Sequence, residues 1–371
     1  MIYVDVSAAV HSRAGLGRYS ERLARALRAA KGERIALFYN QGKGAQPPAA
    51  LLPFSRRSVS LGYKPWRMAV LMGHLSHVRF NPLVPDAELF HSTEHLLLPL
   101  RRVPTVLTVH DLIYKLYPEY HKRLNYWYLN LAMPLFCRRA SGIIAVSEAT
   151  KADVVEHYEV APEKVHVVYE AAADHFRPPK VEEIAQVREK YALPEQFLLH
   201  LSTIEPRKNL ERLLEALQIA RRDFPDLHLM LVGSKGWLYE DFFARIEREN
   251  LGEVVRPLGW VPDAELPAVI AAANLAVQPS LYEGFGLPIL EEMASGQVVA
   301  ASNSSSHPEV GGEAAAYFAP TDVEEMAAVI GRLLRDEGEY RERRRLGLEQ
   351  AQKFSWERAA RETWEVYEKL L

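Results

Sequence analysis

Glu283 and Glu291 stand with seven residues between them, around Gly284-Phe-Gly286-Leu-Pro288. Carboxylates accept hydrogen bonds from hydroxyls, so a pair placed this way suits a polyol such as a sugar ring. The glycines allow close approach of backbone to a ligand, and Pro288 fits the first turn of a helix, where its missing N–H costs nothing. Phe285, Gly286 and Leu287 then lie where a helix begins, and amides there favour an anion such as phosphate. Arg207 and Lys208, in Glu205-Pro-Arg-Lys-Asn209, join a planar fork to a point charge, a pair suited to a diphosphate. His110-Asp111 follows the β-branched run Thr105–Val109 directly.

The surrounding pattern is that of an α/β protein. Ile2–Val6 alternates as a strand, and Arg18–Ala30 has helical spacing through Tyr19, Leu23, Ala26 and Leu27. Gly15-Leu-Gly17 between them predicts the strand, glycine loop and helix that open a doubly wound nucleotide fold. A dinucleotide is excluded: Ser20 occupies the place of the third glycine, and the strand Arg34–Asn40 ends without a ribose-binding acid. The strand Thr105–Val109 puts His110 at a carboxyl edge, where open α/β sheets bind ligands.

Tyr126–Ala140 reads as a helix, Gly142–Val146 as a strand, Glu148–Tyr158 as a helix capped by Ser147, and Val165–Val168 as a strand. The stretch from Tyr169 to Pro179 breaks this pattern and reads as a linker. The alternation then restarts with strands Phe197–Leu201, Leu227–Val232, Val254–Arg256 and Leu275–Gln278, interleaved with helices Leu210–Arg222, Trp237–Asn250 and Ala264–Ala273. Two Rossmann-like, doubly wound domains are expected, residues 1–172 and 173–354. Trp260, in Gly259-Trp-Val261-Pro262-Asp263, either stacks on a base or fills core. His91-Ser-Thr-Glu94-His95 has the spacing of an inverted zinc motif, but the strand before it and the Pro-bounded apolar run after it do not place both histidines on one helix face. No metal site is expected.

Ser280-Leu-Tyr-Glu-Gly-Phe-Gly-Leu-Pro-Ile-Leu-Glu291, followed by Ala294-Ser-Gly296-Gln-Val-Val-Ala300, resembles the donor signature of retaining glycosyltransferases of family 4. The phrases Glu205-Pro-Arg-Lys-Asn209, Val109-His-Asp-Leu112 and Gly15-Leu-Gly17-Arg18 extend the resemblance over nearly the whole chain and look most like mannosyltransferases that build surface polysaccharide. This implies a GT-B fold, two domains facing a cleft, with residues 355–371 crossing back to the first domain as a helix. It implies a nucleotide-sugar donor, GDP-mannose before UDP-glucose, and a glycan or lipid-linked acceptor. Glu283 and the amides of Phe285, Gly286 and Leu287 would hold the donor sugar, and Glu291 the ribose hydroxyls. Arg207 and Lys208 would neutralise the diphosphate, Gly15 and Gly17 would close over it, His110 would lie beside the anomeric carbon, and backbone near Val261 would hold the base. Front-face substitution with retention is the family mechanism. No Asp-x-Asp motif occurs, so neither a metal nor any other cofactor is expected.

The net charge of −3 divides unevenly. Residues 1–175 carry 22 Lys+Arg against 15 Asp+Glu, and the rest carry 23 against 33. No acid falls between Arg34 and Pro85, whereas Arg34, Lys43, Arg56, Arg57, Lys64, Arg67 and Arg79 do. With Trp66, Met68, Leu71 and Met72 nearby, residues 56–80 could lie on an anionic membrane, and nucleic acid is not an expected partner. The chain shows no signal peptide and no apolar run near the roughly 20 residues that span a bilayer. Its single Cys137 fits a reducing cytoplasm, including the inner face of the membrane. Rival readings of such a scaffold are a phosphorylase, a sugar-nucleotide epimerase and a non-catalytic nucleotide-sugar binder.

Overall fold

A computed structural model describes Met1–Leu371 except Lys43, so this one member of the basic tract lies outside the described residues. The chain forms two compact units, Met1–Glu170 with Ser355–Leu371, and Ala171–Phe354.

The first unit is a seven-stranded parallel sheet: β1 (Ile2–Asp5), β2 (Ile35–Asn40), β3 (Arg56–Val59), β4 (Leu89–Ser92), β5 (Thr105–Val109), β6 (Gly142–Ala145) and β7 (Val165–Val167), in the order β3-β2-β1-β4-β5-β6-β7. Its helices are α1 (Ser7–Val10), α2 (Ala14–Lys31), α3 (Tyr63–Leu75), α4 (Ile113–Leu116), α5 (Arg123–Arg139) and α6 (Glu148–Tyr158). The central strands β1, β4 and β5 are buried at every residue, as strands covered on both faces must be. β3 is largely exposed at the sheet edge, and its Arg56 and Arg57 suit an edge that should not pair further. Ser147 caps α6, its hydroxyl accepting from the Thr150 N–H at 3.0 Å.

The second unit runs α7 (Val181–Lys190), β8 (Phe197–Leu201), α8 (Leu210–Ala220), β9 (His228–Val232), α9 (Glu240–Arg248), β10 (Val255–Gly259), α10 (Leu266–Ala272), β11 (Leu275–Gln278), α11 (Leu287–Ala294), β12 (Val299–Ser302), α12 (His307–Gly311), β13 (Ala316–Phe318), α13 (Val323–Arg335) and α14 (Glu337–Ala351). Its parallel sheet has the order β10-β9-β8-β11-β12-β13.

The last helix, α15 (Trp356–Leu370), belongs to the first unit and packs on α2. Ala359, Ala360, Thr363, Trp364 and Tyr367 form its buried face at helical spacing, and Ser355 caps it by accepting from the Arg358 N–H at 3.1 Å. Tyr367 reaches the sheet, its hydroxyl 2.6 Å from His91 Nδ1.

Three local expectations change. Gly15 and Gly17 are not a loop: α1 follows β1, and both glycines lie in the first turn of α2. Gly17 is required by packing, since a Cβ there would sit 3.0 Å from the Ala8 carbonyl oxygen and 3.3 Å from Ala9 Cα. α9 begins at Glu240, later than Trp237, because Leu238 takes a left-handed φ of 55° that breaks the helix. Glu291, which a helix opening at Pro288 would carry just inside its first turn, lies in the second turn of α11, because that helix already starts at Leu287.

Candidate functional site

In the second sheet β8 and β11 are neighbours although they are not consecutive, with β9 and β10 on one side and β12 and β13 on the other. The loops leaving such a pair diverge, and the crevice outside their carboxyl ends is where open α/β sheets bind ligands. After β8 comes the one-turn helix Pro206–Lys208; after β11 comes the glycine loop leading to α11.

These two loops are fastened together. The Leu281 N–H donates to the Arg207 carbonyl at 2.8 Å. Asn209, in a left-handed conformation at φ 60°, donates from Nδ2 to the carbonyls of Pro279 at 3.0 Å and Pro320 at 2.7 Å. The result is a buried ion cluster. Glu283 Oε1 accepts from Lys208 Nζ at 2.5 Å and from Ser280 Oγ at 2.7 Å, while Oε2 pairs with Arg207 Nη1 at 2.6 Å. Arg207 also pairs through Nε with Glu205, itself buried. Burial alone would raise the Glu283 carboxyl, but Arg207 and Lys208 outweigh it and hold the group well below the carboxylate range. Burial and the adjacent Arg207 charge lower the pKa of Lys208 despite its acidic partners.

Gly286 ends the loop at φ +98°, a conformation that side chains rarely adopt, and a Cβ there would lie 3.1 Å from His307 Cδ2. Leu287 opens α11, so Phe285, Gly286 and Leu287 lead into the positive end of a helix. Behind them a run of serines braces the loop. Ser304 Oγ donates to the Leu281 carbonyl at 2.6 Å, Ser305 Oγ accepts from the Glu283 N–H at 2.8 Å, and Ser306 Oγ lies 2.7 Å from the Phe285 carbonyl. These serines, Glu205 and His307 were not among the expected site residues. Their signal in the sequence is Ser302-Asn-Ser-Ser-Ser-His307 directly after a buried strand.

Glu291 is also buried, deeper on α11 than the loop carboxylate. Its neighbour Glu292 serves the core, taking a hydrogen bond from Gln278 Nε2 at 2.6 Å, with burial pushing its pKa well up. Val261 packs its side chain into the core with Val232 and Leu266, which leaves its backbone as the part that can meet a ligand. Trp260 is 70% exposed, so it does not fill core.

Gly15, Gly17 and His110 belong to the first unit. His110 follows β5, buried, with Nδ1 3.0 Å from Glu170 Oε1 and Nε2 2.9 Å from the Thr93 carbonyl oxygen. A carbonyl only accepts, so Nε2 carries a proton. Burial by itself would lower the pKa of this imidazole; the Glu170 carboxylate outweighs burial and leaves it above its ordinary value. Tyr19 stands edge-on to the ring at 4.7 Å. His91, by contrast, spends its two nitrogens on Tyr367 and on Thr108 Oγ1 at 2.7 Å. Glu94, of the same His91–His95 run, pairs with Arg13.

Comparison with known proteins covers most of the chain. Residues 13–172 match the family described as Glycosyltransferase Family 4, and residues 183–353 match Glycosyl transferases group 1. O-antigen chain mannosyltransferase B of Escherichia coli is 32% identical, over 96% of this chain and 96% of that protein. Serotype-specific mannosyltransferase WbdA of the same species is 34% identical over 74% of this chain, which spans 35% of its length. Among solved structures, Anabaena HepE, crystallised with UDP and glucose, superposes with a TM-score of 0.75 over 99% of this chain and 98% of that one, at 19% identity. That likeness shows the fold, two parallel α/β units of the GT-B kind.

Proposed function

This chain belongs to the group 1 glycosyl transferases, with a family 4 domain before the group 1 domain, and on that premise we propose that it transfers mannose from GDP-mannose to a glycan or lipid-linked acceptor with retention of configuration. The carrying observation is the Arg207–Glu283–Lys208 cluster at the switch point of the second sheet. An ammonium has three N–H donors, and its bond to Glu283 uses one, so Lys208 keeps donors for a phosphate oxygen. Arg207 and Lys208 neutralise the charge that grows on the leaving diphosphate, an electrostatic role set in advance by their burial, and no metal or other cofactor is assigned a part. Glu283 and the backbone of Phe285, Gly286 and Leu287 hold the sugar hydroxyls, Glu291 the ribose, and backbone at Val261 the base. His110 attends the donor sugar, and Gly15 and Gly17 the phosphates. The choice of mannose is supported by the mannosyltransferase aligned over 96% of both chains.

A thermal-shift panel of GDP- and UDP-sugars tests the donor. GDP-mannose is expected to raise the melting temperature most, and a larger shift with UDP-glucose overturns that choice. NMR of the first-formed product anomer tests stereochemistry in the same preparation; an inverted anomer rules out the proposed retention.

The partner surface extends to an anionic membrane. No helix among the described residues is long and apolar enough to cross a bilayer. On α3, Met68, Met72 and Leu75 are exposed, and on α5, Leu124, Trp127 and Leu131, with Leu124 at 88%. Arg67 Nη1 donates to Asn125 Oδ1 at 2.8 Å and Tyr128 to the Arg67 carbonyl at 3.2 Å, which ties the two helices to each other. Lys64, Lys122 and Arg123 stand on the same two segments, a composition suited to anionic headgroups. The chain should float with phosphatidylglycerol vesicles at low salt and much less with neutral ones. Absence of binding at low salt ends this reading.

A further inference from the structure

The first sheet has a switch point of its own. β1 and β4 are adjacent, with β2 and β3 to one side and β5, β6 and β7 to the other. The crevice outside their carboxyl ends is therefore a ligand position by the same rule that locates the ion cluster of the second sheet. Asp5 ends β1, and Thr93 and Glu94 follow β4. Thr93 Oγ1 donates to the Asp5 carbonyl at 2.5 Å and joins the two strand ends.

Glu94 is 2% exposed. Its Oε2 accepts from Arg13 Nη1 at 2.5 Å, with the Tyr63 hydroxyl at 3.5 Å. No protein donor among the described residues reaches its other oxygen, Oε1, although that atom is buried, and His95 Nε2 is buried in the same condition. A buried acceptor without a partner is costly, and more so when charged, so Oε1 is a place for a donor that the chain does not supply. The ring of Tyr63 lies under the Arg13 guanidinium at 4.7 Å and edge-on to His11 at 5.9 Å, and Tyr128 lies under Arg67 at 3.8 Å. Carboxylate, aromatic faces and imidazole suit a neutral ring bearing hydroxyls. A phosphate would meet Asp5 and Glu94 together, and the Arg13 charge is already paired.

The cluster also adjoins the residue that orients His110. The Thr93 carbonyl oxygen holds His110 Nε2, and Glu94 is the next residue.

We propose that Glu94, with Arg13, Tyr63 and His95, forms the subsite for a neutral sugar ring of the acceptor, Glu94 Oε1 accepting a hydrogen bond from an acceptor hydroxyl. The inference rests on the glycosyltransferase reading and deepens it by assigning the acceptor class and place.

Octyl α-D-mannopyranoside is the probe, and binding to the full chain is read by ligand-observed NMR without donor. The wild type should bind it, at least tenfold more tightly than the same glycoside carrying a 6-phosphate. Glu94→Gln should weaken binding at least tenfold and Tyr63→Phe about threefold, with thermal melts confirming folded protein. Should Glu94→Gln fail to fold, Tyr63→Phe decides alone. Wild-type failure to bind, unchanged affinity in the folded variants, or preference for the phosphorylated glycoside overturns the proposal. Turnover of GDP-mannose is measured separately, so a wrong donor and a wrong acceptor subsite give different results.

Discussion

Glu283→Ala is expected to lower the thermal midpoint of the second unit by roughly 10 °C, corresponding to about 3–5 kcal/mol for breaking a buried ion cluster from one side. The mechanism is the stranding of charge. Lys208 is buried and Arg207 nearly so, and without Glu283 the ammonium loses the carboxylate that pairs with it. The pH dependence has a defined sign. The Glu283 carboxyl is held below its ordinary value of 4.5, so its contribution is complete above about that pH and fades as pH falls below it. Wild type and variant should therefore converge in acid. Removing Lys208 as well should recover part of the loss, because one stranded charge disappears with it. Calorimetry of the single and double variants across pH 3–8 checks all three statements, and a midpoint within about 2 °C of wild type at pH 7 would sink the ion-cluster account.

Lys208→Met is expected to act on turnover instead of stability. Methionine keeps most of the volume, and Glu283 retains Arg207 at 2.6 Å and Ser280 at 2.7 Å, so the fold should lose little. A donor aimed at growing transition-state charge is worth about 10²–10³ in rate, and the loss should appear in kcat with a smaller change in KM. Lys208→Arg should not restore the rate, because a planar fork cannot occupy the place of a compact ammonium buried against Glu283. Steady-state kinetics with the donor that gives the largest thermal shift decide it. A Lys208→Met enzyme with at least half the wild-type kcat would remove this side chain from the chemistry.

The ion cluster also shows how far local pattern reaches. Arg207, Lys208, Glu283 and the glycine loop were each legible, because a motif next to a strand end is a local object. Their mutual pairing was not, since Lys208 and Glu283 stand 75 positions apart in the chain. Expectation divided them between diphosphate and sugar, whereas the structure bonds them to one another. Trp260 carried two readings that burial alone could separate, and the close approach of the Ala8 and Ala9 backbone to Gly17 was visible only in the folded chain. Glu170, the partner of His110, drew no notice because it sits in a stretch without periodicity, 60 residues away.

The chain's order of residues by itself determined the fold class. Buried β-branched runs alternate with amphipathic helices, and each strand that must be covered on both faces demands a helical crossover, so a parallel α/β architecture follows from local free energy. The pairing order of those strands is another matter. That β8 lies beside β11 as well as β9, and β1 beside β4 as well as β2, depends on how whole layers pack, a property that no window of sequence contains. Only the tertiary structure decided that order, and with it the two switch points, one joining Lys208 to Glu283 and the other joining the end of β1 to Thr93, beside Glu94.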